Sequence, residues 1–129
     1  MATWHELSRD ALLAARELLQ SNRLRSSASR AYYAAYSAVA QPMTRQRVAF
    51  PYGWNNPSHE QLVRWLSNNR KWSLNRRRLL TRALGRLRKA RENADYRPGV
   101  SFTRTDVIRL LKEATAVLQF FEVSYEDAD

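Results

Sequence analysis

The chain contains no cysteine, so a disulfide framework and a thiolate metal site are both excluded. Its two histidines, His5 and His59, lie far apart and lack metal-ligand spacing, which argues against zinc or haem and leaves carboxylates as the only ligands for magnesium. Neither a metal nor another cofactor is expected. Glycine and proline are scarce, at three and four in 129 residues, and strand-like alternation is rare. There is also no long aliphatic run. The stretch from Ser26 to Thr44 is broken by a single charge, Arg30, but Ala, Ser and Tyr fill it and give too little aliphatic surface to span a bilayer. The first residues, Met1 to Glu6, lack the basic region and apolar run of a secretory signal. These absences point to a cytoplasmic protein with no membrane partner.

What is present reads as helix. A chain of 129 residues with 44% hydrophobic content suits one domain, here residues 1–129. Thr3-Trp4-His5-Glu6 has the form of a capping box, and Trp4, Leu7, Ala11, Ala14, Ala15 and Leu18 follow at three- and four-residue steps until Asn22. A second helix is predicted over 26–41, stopped by Pro42. Ala28, Ala31, Tyr32, Ala35, Tyr36 and Val39 make one face of it, but Tyr33, Ala34 and Ser37 lie opposite with Arg30. A helix without a solvated face is central or at a subunit interface.

Residues 43–57 read as a loop, after which Ser58 caps a third helix with Leu62, Val63 and Leu66 inward and Trp65 at the rim. A fourth helix runs from about Ser73 to Tyr96, where Pro98-Gly99 turns the chain. Thr103 caps the last, which carries Val107, Leu110, Leu111, Ala114, Val117, Leu118 and Phe121 on its apolar face. The segment from Glu122 to Asp129 is acidic and expected to fray. The expected fold class is therefore all-α, a bundle of five helices.

The net charge of +10 is concentrated. Residues 64–97 hold twelve Lys or Arg against Glu92 and Asp95, whereas the rest of the chain carries ten bases and ten acids. Arg78, Arg82, Arg86 and Lys89 recur at four- and three-residue steps, a stripe of like charge that weakens an isolated helix by roughly 0.2–0.5 kcal/mol per pair. An ordinary solvated face mixes signs. Together with Arg76, Arg77 and Arg88, the stripe makes a candidate surface for RNA, another nucleic acid or an acidic protein. Trp54, Trp65 and Trp72 are candidates for stacking.

One arginine does not belong to that surface. Leu80, Ala83, Leu84, Leu87 and Ala94 share the apolar face of the fourth helix, and Arg91 falls in the middle of it. A charge facing the core must be paired or look into a cleft. Asp95, one turn later, is the expected partner; a polar site between helices or subunits, with Arg30 and Tyr33, is the alternative. Gly85, in mid-helix, costs about 1 kcal/mol relative to alanine unless it serves a close helix approach.

Ser29-Arg30-Ala31-Tyr32-Tyr33-Ala34 resembles the second-helix signature of HEPN-domain proteins, and Arg91-Glu92-Asn93-Ala94-Asp95-Tyr96 is similar to the Arg-x-x-Ala-Asp-Tyr segment of a toxin–antitoxin-related branch. Thr103, Ala114 and Phe120 or Phe121 fit its last helix. The resemblance implies an up-and-down bundle, often a two-fold homodimer. Many members are ribonucleases or RNA-binding toxins paired with a small nucleotidyltransferase. Their catalytic forms carry a histidine four to six residues after the arginine; here none follows Arg91 anywhere in the chain. That group is the one best suited to acid–base work near neutral pH. The leading expectation is a non-catalytic protein that binds RNA or regulates a partner through the fourth helix. The alternatives are a ribonuclease using Arg91, Asp95 and Tyr96, and an interaction module meeting a nucleotidyltransferase. His59, just past a cap, is expected at the surface, with a catalytic part in trans as the lesser reading.

Overall fold

Four hydroxyls decide where helices begin. Thr3, Ser58, Ser73 and Thr103 each accept a backbone N–H three residues on, from Glu6, Gln61, Arg76 and Asp106. Each satisfies a donor that the first helical turn leaves orphaned. Only at Thr103 is the box reciprocal, with the Asp106 carboxylate taking the Thr103 N–H at 3.0 Å. The computed structural model, which describes residues 2–123, has five α-helices: α1 (Trp4–Gln20), α2 (Leu24–Arg45), α3 (His59–Asn68), α4 (Leu74–Tyr96) and α5 (Arg104–Phe120). A single 3-10 turn, Pro51–Gly53, lies in the loop before α3, and no strand occurs among the described residues.

Asn22, in the left-handed region at φ 58°, turns α1 back onto α2. The two then run antiparallel, stitched by Ser8 Oγ to the Ala34 carbonyl and Ser27 Oγ to the Ala15 carbonyl, both 2.7 Å. Ala11, Ala15, Ala31, Ala34, Ala35 and Ala38 are all buried. Side chains this small let the backbones approach, and the buried hydroxyls lose nothing because each has its acceptor.

Helix α2 packs against all four other helices. A central position explains part of its missing solvated face: Ala34 and Ser37 are covered within the chain itself, whereas Arg30 and Tyr33 on the same side remain exposed. Pro42 does not stop this helix, contrary to expectation; it continues to Arg45. The missing proline N–H removes one rung of the ladder, but one more turn puts Met43 into the core with no exposed surface. Residues 46–58 double back along the end of α2, held by Trp65 Nε1 to Gln46 Oε1 (3.3 Å) and Gln61 Nε2 to the Ala49 carbonyl (2.7 Å).

Helix α4 runs antiparallel to α2, with Ser29 near Asp95 and Tyr32 near Arg91. It also runs antiparallel to α5, where Arg86 meets Glu113 and Arg76 meets Phe120. Leu80, Leu84 and Leu87 of α4 and Val107, Leu111, Val117 and Leu118 of α5 complete the core. Trp65, Trp72, Phe120 and Phe121 close one end with ring centroids 5.0–5.8 Å apart. Trp65 and Trp72 are therefore part of the core rim rather than open stacking platforms. A Cβ at Gly85 would meet nothing within 4 Å, so that glycine serves no close approach.

Beyond α5 the chain does not fray at once. Glu122 takes a left-handed conformation, and Val123, 3% exposed, donates to the Leu118 carbonyl at 2.9 Å. The remainder of the acidic segment, 124–129, lies outside the described residues. No described helix is long and apolar enough to cross a membrane.

Candidate functional site

Two groups of residues singled out in the sequence lie on different sides of α4. Arg78, Arg82 and Lys89 point outward along three turns, all exposed and without a carboxylate partner among the described residues. Arg86, in the same row, is bound to Glu113. Arg88 leaves the group: its guanidinium sits 2.9 Å from Glu60 and 3.2 Å from Glu92. Arg77 donates to the Ser67 carbonyl at 2.7 Å, holding α3 to α4, and Arg76 lies 6.0 Å above the Phe120 ring. Of the seven basic residues proposed as one surface, Arg77, Arg86 and Arg88 are thus held in contacts within the fold.

The other group is built on α2. Tyr36 and Tyr32, one turn apart, reach over to the start of α3. The Tyr36 hydroxyl donates to the Pro57 carbonyl and accepts from Asn56 Nδ2 at 3.1 Å, which fixes the loop ahead of the Ser58 cap. That fixes the next residue as well. His59, expected at the surface, is half-buried, with Nδ1 3.0 Å from the Tyr32 hydroxyl and its ring tilted 5.9 Å from the Tyr32 ring. The reason is the cap geometry: once Ser58 starts the helix, the following side chain falls toward α2 rather than to solvent.

Arg91 reaches the same tyrosine from α4. Its guanidinium lies 5.6 Å from the centroid of Tyr32 and 5.9 Å from those of Tyr33 and Tyr96. Three aromatic faces within about 6 Å stabilise a cation that is withdrawn from water. Here the side chain is 18% exposed. Asp95 is present as expected, but at 4.0 Å, and its carboxylate also accepts from Ser29 Oγ at 3.2 Å. Arg91 Nε is buried without a hydrogen-bond partner among the described residues. Arg30 lies 5.6 Å over Tyr33 at the exposed edge of this cluster.

The electrostatics follow from burial. Burial pushes the Tyr32 phenol well above its usual range, against a smaller opposing pull from Arg88 and Arg91, so the hydroxyl stays protonated. Burial also holds the His59 imidazole below its ordinary 6.5, and the Arg88 guanidinium adds to that effect. Donor and acceptor roles between Tyr32 and His59 interchange with the imidazole tautomer. No group of three or more metal-ligating side chains occurs among the described residues.

A family model described as the HEPN domain matches residues 1–124. The chain belongs to the HEPN-domain family. No curated protein and no solved structure matches it. In this HEPN domain the imidazole near the α4 arginine comes from α3, 32 positions earlier in the chain, by way of Tyr32.

The His59 environment has a pH signature. The unfolded chain takes up this proton near pH 6.5, whereas the folded chain takes it up only at lower pH. The unfolded state therefore binds more protons just below 6.5, and stability falls as pH drops through that window. Urea midpoints should decline from about pH 7 to about pH 5, and decline less in His59→Gln. The Glu60 and Asp106 carboxyls, held low chiefly by backbone hydrogen bonds, act only at more acid pH. An identical decline in the variant would show that His59 is not the group responsible.

Proposed function

We propose that this HEPN domain binds RNA through the outward face of α4. The observation that carries the reading is the row Arg78, Arg82 and Lys89: exposed, of one sign, and unneutralised, although α4 pairs Arg86, Arg88 and Arg91 with carboxylates. Such a row tracks a phosphate backbone, and its binding must weaken with salt because each neutralised phosphate releases counterions. Electrophoretic titration of the protein against structured RNA and duplex DNA across a salt series tests it. The expected result is log affinity falling linearly with log salt, with a slope of about −0.7 to −0.9 per phosphate contact. Affinity unmoved by salt would rule the reading out.

A second reading has one specific observation in its favour. His59 and Arg91 flank the same tyrosine, so an imidazole that is neutral near pH 7 stands beside a cation able to stabilise phosphoryl charge. This is the arrangement a ribonuclease needs, with Arg91 as electrophile, His59 as base, and Asp95 and Tyr96 positioning the guanidinium. It replaces the earlier trio, in which no group served as a base. Under this reading the purified protein degrades bound RNA, Arg91→Ala abolishes degradation and His59→Gln reduces it. RNA that stays intact while bound leaves only the binding function.

A further inference from the structure

The seam between α4 and α5 is not filled. A groove of about 380 Å³ opens there, lined by Leu80, Ala83, Val117 and Phe120, together with Leu79, Ala116, Arg76 and Arg86. Its size falls in the range of small-ligand sites, about 300–1,000 Å³. Leu79 is 64% exposed on its edge, a large apolar side chain left in water beside a row of arginines. A second depression of about 390 Å³ continues along the same seam, and the Arg86–Glu113 ion pair separates the two.

The position of the groove relative to the charge is what gives it meaning. At 3.6 residues per turn, Arg78 and Arg82 lie roughly a quarter turn around α4 from Leu79 and Ala83. Arg86 belongs to both the row and the groove. An anionic chain lying on the row therefore runs alongside an apolar slot, with a guanidinium over an aromatic ring, Arg76 on Phe120, at its far end. A duplex offers this surface only phosphates, because its bases are stacked and paired inside. An unpaired strand offers both phosphates and a flat apolar ring within one nucleotide.

We propose that the nucleic acid bound by this face is single-stranded, and that one unpaired base lies in the α4–α5 groove while neighbouring phosphates rest on Arg78 and Arg82. The proposal rests on the reading of α4 as the nucleic-acid surface and adds the class of ligand and the place of the base. Glu113 does not oppose it, since its carboxylate is already taken by Arg86.

Fluorescence anisotropy with a labelled single-stranded RNA of mixed sequence, and with the duplex it forms with its complement, at one salt concentration, tests the proposal. Ala116→Leu fills the slot from an exposed helical position without altering charge. Leu79→Gln removes its apolar edge, again without altering charge, and stands in should the first variant not fold. The single strand should bind about tenfold tighter than the duplex, and either variant should weaken it about fivefold to tenfold, as expected for one stacked base. Duplex affinity should stay within about twofold, since phosphate contacts are untouched. Equal binding of both forms, unaffected by either variant, overturns the groove proposal and leaves the slot to an apolar anchor of an acidic peptide, while salt-sensitive binding would still stand. Absence of binding to both forms overturns the two together.

Discussion

Replacing Arg78, Arg82 and Lys89 together by glutamate should cost at least about a hundredfold in RNA affinity and lower the salt slope by about two to three. These three are chosen because the structure leaves them exposed without acidic partners among the described residues. Each reversal removes a cation from the phosphate track and puts a like charge against the strand. The choice excludes Arg86 for a physical reason. Its reversal would set a carboxylate against that of Glu113 and disturb the α4–α5 seam, so lost binding could then be lost packing.

Folding should not suffer in the chosen variant. Glutamates at 78 and 82 repel each other one turn apart no more than the two arginines do, at roughly 0.2–0.5 kcal/mol per like pair, while those at 82 and 89 each lie one turn from Arg86 and attract it where the parent cations repel it. The circular dichroism spectrum and urea midpoint are therefore expected to match those of the parent. Binding that survives at parental strength in a folded variant would mean that α4 is not the surface, and would shift attention to Arg30 and Arg91 on the other side.

Much of this architecture was legible locally. Ser58, Ser73 and Thr103 announced helix starts because a cap is an interaction over three residues. Arg91 stood out because Leu80, Ala83, Leu84 and Leu87, all buried, mark a face of α4 on which one charge is conspicuous. What was not legible depends on partners distant in sequence. The pairing of Arg88 with Glu60 spans 28 residues and that of His59 with Tyr32 spans 27, and no periodicity within α3 or α4 encodes either. Pro42 misled for a related reason: the local rule against helical proline holds, but burial of Met43 outweighs one missing backbone bond. The charge census was right about where cations gather and silent about which of them are spent on carboxylates.

Arg25 is the clearest residue of that distant kind, and Arg25→Ala should lower stability by about 2–4 kcal/mol, a large part of the 5–15 typical of a domain. From the first turn of α2 its guanidinium reaches the far end of α4. It donates to the carbonyls of Asn93 and Ala94 at 3.1 Å, Arg97 at 3.2 Å and Pro98 at 2.8 Å, and also to that of Val100, while lying 5.6 Å over the Phe102 ring. The last turn of α4 has no basic residue of its own, so these carbonyls, at the negative end of the helix dipole, depend on a cation supplied from α2. Such bonds are charge-assisted and individually strong, although water at this partly exposed site recovers some of the loss in the variant. Arg25→Lys should restore little, because an ammonium cannot spread over acceptors on both the helix end and the Pro98-Gly99 turn as a planar guanidinium does. Urea denaturation of the three proteins measures this directly. The same helix end carries Asp95 and Tyr96, the α4 neighbours of the tyrosine-bound Arg91 guanidinium. If Arg25→Ala instead unfolds at the parental midpoint, the carbonyls of α4 are satisfied by solvent alone, and the cap is geometry without energy.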